Sequence, residues 1–303
     1  MNNFIILSFI IFFKRIQSLI CQTNQNIKKN ALKGNFQLPS EDKIKFEFES
    51  LQNLIDNDDN HKKELYILDK NLVRYKEIFP YKHNIITISN EHKVINASWV
   101  NTPNEHCYIA AQGPLDNTKE DFWQMCFEYN VKVIVMLCQE EEEDKRVKCA
   151  TYWKLENSPN FEITSKEVEK NDAFIIRKIE VTMKKNSERK TFEHIQYLGW
   201  PDYNIPNLNA IYEQFAILLK FVDDKRGTGP IVVHCSAGIG RTGTFISFHI
   251  LYHEIMNQLS NGNDHIKFNV FNTVRKMKEY RMYSVQTLNQ YQLIYYLISS
   301  LLN

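Results

Sequence analysis

The six cysteines of this 303-residue chain lack any pairing. Cys21, Cys107, Cys126, Cys138, Cys149 and Cys235 form no Cys-x-x-Cys, and none stands with a histidine at a metal-ligand interval. That excludes a disulfide framework and a thiolate metal knuckle, and reduced thiols fit a cytoplasmic setting. An excess of charge is also missing. With 37 basic and 36 acidic residues the net charge is +1, which leaves bulk electrostatics no preference for nucleic acid or for an anionic membrane. Any anion site has to be local. A membrane-length apolar run is absent from the start of the chain: Phe4 to Phe13 is a run of ten, too short to cross a bilayer and of the length of a signal-peptide core. It has no basic segment before it, Lys14-Arg15 follow it instead, and the cleavage site around Ser18 to Cys21 is poor. Membrane contact is expected only if this segment acts as an anchor. Cytoplasmic residence is the expectation, with membrane association or secretion as the alternative.

Glycine is scarce as well, nine in the whole chain, and three of the nine fall between residues 238 and 243. They belong to Ile231-Val232-Val233-His234-Cys235-Ser236-Ala237-Gly238-Ile239-Gly240-Arg241-Thr242-Gly243, where an apolar β-branched run leads into a glycine-punctuated turn. Phe245, Phe248, Tyr252, Ile255 and Leu259 follow at helical spacing. Strand, tight loop and helix in this order make an anion cradle. The amides of Ser236, Ala237, Gly238, Ile239 and Gly240 converge on one point, and the helix N-terminus aims at the same place. A phosphate fits there. Cys235 sits at its floor, where amide dipoles and the Arg241 guanidinium favour a thiolate over a thiol. Arg241 offers a planar fork for two phosphoryl oxygens while Cys235 attacks in line, and Thr242 puts a hydroxyl near the sulfur.

His234 through Gly243 resembles the signature of the protein tyrosine phosphatases, and the tyrosine-specific branch in particular. The resemblance extends over roughly residues 44 to 303, with six motifs in the family's order. Lys70-Asn71-Leu72-Val73-Arg74-Tyr75-Lys76-Glu77 resembles the family's phosphotyrosine-recognition loop. Carried over, Tyr75 walls a deep slot that a phosphoserine is too short to use, and Glu77 binds the peptide backbone. Leu72-Val73, Glu77, Lys82 and Lys93 depart from the usual residues, as does Tyr283, which stands where glycine is common and is expected to narrow the mouth of the slot. Ile95-Asn96-Ala97-Ser98 and Tyr108 to Leu115 match motifs whose family role is core packing. The glycosylation sequon at Asn96 would thus lie inside the folded domain, which opposes secretion.

Trp200-Pro201-Asp202 resembles the family's acid loop. Asp202 is then the general acid for the tyrosyl leaving oxygen and Trp200 the hinge anchor. Gln286, in Tyr280 to Gln290, matches the glutamine that orients the hydrolytic water, with Gln290 as its helper. Thr287 and Gln290 also read as a capping box. Glu143, in the acidic run Glu140 to Asp144, corresponds to a glutamate that grips the cradle arginine. Lys148 corresponds to a lysine that touches the acid loop, and His234 supports the cradle.

The fold implied is α/β, a highly twisted mixed sheet flanked by helices, with the cradle between a central strand and a helix. Residues 1–40 read as a leader and polar linker and 41–303 as one catalytic domain. Helices are expected through Ile44 to Ile55, Phe122 to Met125, Ile211 to Val222 and Phe268 to Met277, and a hairpin between Phe174–Met183 and Thr191–Tyr197. The function implied is hydrolysis of phosphotyrosine in proteins through a cysteinyl phosphate, with no metal or other cofactor and no nucleic-acid partner. The rivals are a dual-specificity or phosphoinositide phosphatase, which shares the cysteine and arginine, and a module that binds phosphotyrosine without hydrolysing it.

Overall fold

A computed structural model describes residues 36–56, 64–88, 93–102, 107–142, 144–201, 206, 208–263 and 265–303. Its strands are β1 Ile85–Ile88, β2 Lys93–Asn101, β3 Cys107–Ala111, β4 Val133–Met136, β5 Phe161–Lys170, β6 Phe174–Met183, β7 Glu188–Tyr197 and β8 Ile231–His234. The α-helices are α1 Glu41–Asp56, α2 Lys119–Glu128, α3 Leu208–Lys225, α4 Gly240–Ser260, α5 Val270–Tyr280 and α6 Leu288–Leu302. All eight strands join one sheet in the order β1-β2-β3-β8-β4-β7-β6-β5. The middle is parallel, with β8 paired to β3 and to β4, and β4 to β7; the flanks are antiparallel. Both central strands, β4 and β8, are buried at every position, which is why their sequences are unbroken apolar runs ending in Met136 and His234.

Alternation along β7 shows how the sheet is covered. Phe192 meets Trp123 of α2 and His194 bonds Tyr152, whereas Tyr197 meets Phe215 of α3. Residues an odd number apart point to opposite faces, so α2 and α3 lie on opposite sides. α4 joins α3 through Phe245 and Phe248 around Phe215. α1 reaches α6, where Glu47 accepts from the hydroxyls of Tyr291 and Tyr295.

The helix starts follow local chemistry. Ser40 Oγ accepts from the Lys43 amide at 3.4 Å, and Asn269 caps α5 through the Asn272 amide at 2.8 Å. Thr287 and Gln290 form the expected reciprocal capping box at α6. The expected hairpin is β6–β7. It is extended by β5, which the periodicity does not announce: its residues are mostly exposed and charged, as suits an edge strand that must not recruit another.

The five cysteines among the described residues are free. No described helix is long and apolar enough to cross a membrane. The Phe4 to Phe13 run, the linker up to residue 35 and residues 57–60 lie outside the described residues. Asn96 of the sequon is buried, its amide donating to the Ile78 carbonyl at 2.8 Å.

Candidate active site

β8 delivers Cys235 at its C-terminal end and α4 begins at Gly240, so the loop between them is short and bent. Gly238 has φ 73°, and a Cβ there would lie 2.1 Å from the Ala111 carbonyl oxygen, so neither the backbone nor the space admits a side chain. Its amide donates to Cys235 Sγ at 3.3 Å. A Cβ on Gly240 would stand 2.8 Å from Gln290 Nε2 and 3.3 Å from Gln286 Oε1, so this glycine lets the glutamine loop close over the cradle.

Behind the loop lies Arg281, wholly buried. Its Nε donates to Gly238 O at 2.8 Å and its Nη2 to Ala237 O at 3.1 Å. Across a planar trans peptide the N–H points opposite the C=O, so holding these two carbonyls outward turns the next amides toward the cradle. The other contacts of Arg281 are Asn96 Oδ1 at 2.9 Å and Ser98 Oγ at 3.2 Å. Burial pushes its guanidinium down to about 10, so it remains a cation at neutral pH. Sequence reasoning gave Arg281 no role. Its one signal is a charge between Tyr280 and Met282, at the end of an amphipathic helix.

Arg241 is likewise buried. Its Nη1 donates to Glu142 Oε1 at 2.6 Å and to the Trp200 carbonyl at 2.9 Å. The expected partner, Glu143, lies outside the described residues, and the carboxylate found on Arg241 is that of Glu142, one position earlier. The register is set by backbone: the Lys148 and Cys149 amides both donate to Glu140 O, and Glu141 bridges Val147, which folds the acidic run so that Glu142 faces the cradle. Among the described residues Glu142 Oε2 and Thr242 Oγ1 are buried without a hydrogen-bond partner, a cost of about 1–3 kcal/mol for each such group until something meets it. Trp200 is buried among Tyr197 and Phe215. Lys148 is buried and pairs with Asp144 at 2.9 Å. The segment it was expected to meet, including Asp202, lies outside the described residues.

His234 heads a buried relay. Its Nδ1 is 3.1 Å from the Cys235 carbonyl, which can only accept, so the proton on this edge is on Nδ1. Tyr152 Oη lies 2.8 Å from both His234 Nε2 and His194 Nε2. One hydroxyl proton cannot serve both, so one imidazole must donate. His194 Nδ1 faces Arg177 Nη1 at 3.5 Å, and a guanidinium only donates. Burial, with Arg177 and His234 adding to it, holds His194 well below the usual histidine range, so it is neutral. His194 therefore donates from Nε2 to Tyr152, and Tyr152 donates to His234.

The recognition loop is tied to the cradle directly. Tyr75 Oη is 2.9 Å from Ser236 Oγ. Arg74 donates to the carbonyls of Gly113, Pro114 and Val147, and its amide donates to Gln112 Oε1. Gln112 Nε2 donates to Leu72 O at 2.8 Å, and the Gly113 amide to Ser236 O at 2.9 Å. The Tyr108 to Leu115 motif thus does more than pack the core. Its end joins the recognition loop to the cradle.

These parts surround an open cleft lined by Tyr75, Ile78, Cys235, Ser236, Ala237, Gly240, Arg241, Gln286 and Gln290. Gln290 Oε1 accepts the Gln286 amide at 2.8 Å, which fixes Gln286 at the rim. Gly238 and Ile239 are buried behind the lining, and Glu77 is exposed away from it. Tyr283, expected at the mouth, does not line the cleft; it is half-buried with φ 57°. Lys93 and Lys82 do not reach the cleft either: Lys93 pairs with Asp121 at 2.8 Å, and Lys82 is exposed.

Comparison with known proteins addresses the family and the fold. The protein-tyrosine phosphatase family model matches residues 69–300. Tyrosine-protein phosphatase non-receptor type 20 of Rattus norvegicus is 35% identical over 265 residues, covering 84% of this chain and 60% of that protein. Tyrosine-protein phosphatase 2 of Dictyostelium discoideum is 36% identical over 213 residues, covering 69% of this chain and 55% of that protein. The chain thus spans little more than half the length of these curated relatives. The crystal structure of the catalytic domain of human protein tyrosine phosphatase non-receptor type 18 superposes with a TM-score of 0.73 at 29% identity, over 86% of this chain and 96% of that one. PTPN18 in complex with HER2 phosphopeptides gives 0.72 at 28% identity, over 85% of this chain and 92% of that one.

Proposed function

The chain belongs to the protein-tyrosine phosphatase family, and on that premise we propose that it hydrolyses phosphotyrosine in proteins through a cysteinyl-phosphate intermediate. The observation that carries the proposal is the convergence of Cys235, Arg241, Tyr75 and Gln286 on one cleft. In the first step the Cys235 sulfur forms a bond to phosphorus as the bond from phosphorus to the tyrosyl oxygen breaks. Asp202 gives its proton to that oxygen, so a phenol leaves in place of a phenolate. Arg241, fixed by Glu142 and the Trp200 carbonyl, holds two equatorial oxygens, and the loop amides meet the charge on the phosphoryl group. In the second step a water placed by Gln286 attacks phosphorus, Asp202 takes back a proton, and the thiolate departs with Thr242 as a hydrogen-bond donor.

Tyr75, which lines the cleft and is bonded to Ser236 of the loop, supports selection of phosphotyrosine, the substrate class that the PTPN18 phosphopeptide complex carries for that protein. We assign the catalytic domain to residues 41–303, the leader to 1–40, and the cytoplasm as the place of action, with phosphotyrosine-containing proteins as partners. The test is turnover of phosphotyrosyl, phosphoseryl and phosphoinositide substrates side by side, with Cys235→Ser as control. Hydrolysis confined to the phosphotyrosyl substrate is the expected result. Binding of phosphotyrosine without turnover would replace the enzyme with a binding module.

A further inference from the structure

A second constellation lies away from the cleft, between α3 and α4. His249 and His253 stand one turn apart on α4, a spacing that puts both rings on one face, and Asp223 reaches them from α3. His253 Nε2 is 2.9 Å from His249 Nε2 and 3.0 Å from Asp223 Oδ1, and the third edge, His249 Nε2 to Asp223 Oδ1, is 3.3 Å. Hydrogen bonds alone cannot fill this triangle. Each Nε2 carries at most one proton and an ionised carboxylate none, so at most two protons are available for three edges. A cation at the centre would satisfy all three atoms at once.

The geometry suits such an ion. Placed about 2.05 Å from each atom, it would sit roughly 1 Å out of their plane, with angles between ligands of roughly 90° to 107°. These values lie between those of an octahedral face and a tetrahedron, so the side chains need shift by only a few tenths of an ångström. Two imidazoles and a carboxylate are the donor set of zinc and its neighbours, not of magnesium or calcium. His249 is fully buried, and its Nδ1 is held by Tyr108 Oη of β3 at 3.0 Å, an outer contact that aims Nε2 at the triangle. His253 and Asp223 are about a quarter exposed, 23% and 27%, which leaves one side open for water as a further ligand.

We propose that Asp223, His249 and His253 bind a divalent transition-metal ion of the zinc class. The ion ties α3, which follows the acid loop, to α4, which begins with the cradle. It lies outside the cleft and takes no part in the phosphoryl chemistry.

The experiment uses the full chain, stripped with a chelator, in a Cys235→Ser background so that the catalytic thiolate does not compete for metal. Titration with Co²⁺ should give visible bands of nitrogen and oxygen coordination that saturate at one equivalent, and Zn²⁺ should displace them. His253→Ala and Asp223→Asn should abolish this stoichiometric binding, and Tyr108→Phe should weaken it by roughly 10- to 100-fold. Zinc should raise the melting temperature of the parent and leave that of His253→Ala unchanged. Circular dichroism separates loss of the site from loss of the fold, and His253→Gln stands in should the alanine variant unfold. The proposal is overturned if no such bands appear, or if the folded His253 variant binds as the parent does, in which case the cluster is a hydrogen-bonded packing device only.

Discussion

Arg281 offers the sharpest test of how the cradle is built. Its guanidinium serves four acceptors with no exposure to solvent, and two of them, the Ala237 and Gly238 carbonyls, belong to the phosphate loop. Replacing it by methionine keeps the bulk and removes every donor. At about 1–3 kcal/mol for each stranded buried acceptor, the two loop carbonyls alone cost about 2–6 kcal/mol, a large share of a typical domain stability. Arg281→Met should therefore show a much lower urea midpoint. Arg281→Lys is gentler, since an ammonium on a shorter, unforked stem can meet one or two of the four acceptors. With a loop carbonyl released, its peptide plane can rotate and take an amide out of the cradle. One lost oxyanion donor is worth roughly 10² to 10³ in kcat. Arg281→Lys should then lose about 10²-fold in kcat/KM on an aryl phosphate while its far-ultraviolet circular dichroism stays that of wild type. A folded Arg281→Lys protein with near wild-type turnover would refute the reasoning, because the amides would then face inward without the outward pull on their carbonyls.

Glu142→Gln removes the charge from the Arg241 contact at 2.6 Å and should cost roughly 10- to 100-fold in kcat/KM, the equivalent of about 1.5–3 kcal/mol, while Glu143→Gln stays near wild type; the reverse order would restore the alignment expected from sequence. Asp202→Ala should lower kcat by roughly 10² to 10⁴ on phosphotyrosine with affinity intact, and the loss should shrink for an aryl phosphate with an acidic phenol, whereas equal losses on both would deny it the proton-donor role. Tyr283→Gly relieves a left-handed backbone at φ 57° that costs about 1–2 kcal/mol for a side-chain residue, so its melting temperature should rise by about 2–4 °C with aryl phosphate turnover unchanged; a lower melting temperature would mean that packing of the ring outweighs the strain. Peroxide and vanadate should abolish activity while a chelator leaves the initial rate unchanged, and a rate that follows added zinc would count against a thiolate nucleophile.

What could be read from the sequence, and what could not, divides by the range of the interactions. The cradle was legible because its parts are local: glycines where φ or space demands them, a cysteine at a strand end, an arginine in the first helical turn. Gln290 was legible for the same reason, as its partners are the Gln286 and Thr287 amides a few residues away. Glu142 was not, because a run of five acids has no internal marker, and its register comes from a bridge to Val147 and amides beyond it. Arg281 was hidden more deeply, since its partners Asn96 and Ser98 are more than 180 residues away in the chain. β5 escaped because an edge strand carries charge on the faces where a central strand carries valine. The His249 and His253 spacing was in plain view, but the acid that completes the set sits on another helix.

The carbonyls of the loop show why its amides are ready before any phosphate arrives. From Cys235 to Gly240 each carbonyl already has a donor: His234 Nδ1 on Cys235, the Gly113 amide on Ser236, Arg281 on Ala237 and Gly238, the Gly243 and Val285 amides on Ile239, and Thr244 Oγ1 on Gly240. Each bond fixes a peptide plane, and a fixed plane fixes where its N–H points. The donors come from the loop's own strand, the turn after β3, the end of α5, α4 and the glutamine loop, so no single element sets the cradle and distortion of any one is felt there. A cradle oriented in this way stabilises the charge of the transferring phosphoryl group without reorganising at the moment of reaction. The relay through Tyr152 and His194 reaches the loop at the plane of the Cys235 carbonyl. Tyr152→Phe removes the hydroxyl between the two imidazoles and leaves the other carbonyl donors in place, so kcat/KM on an aryl phosphate should fall far less than for Arg281→Lys, and an equal loss would show that the Nε2 side of His234 also orients the loop.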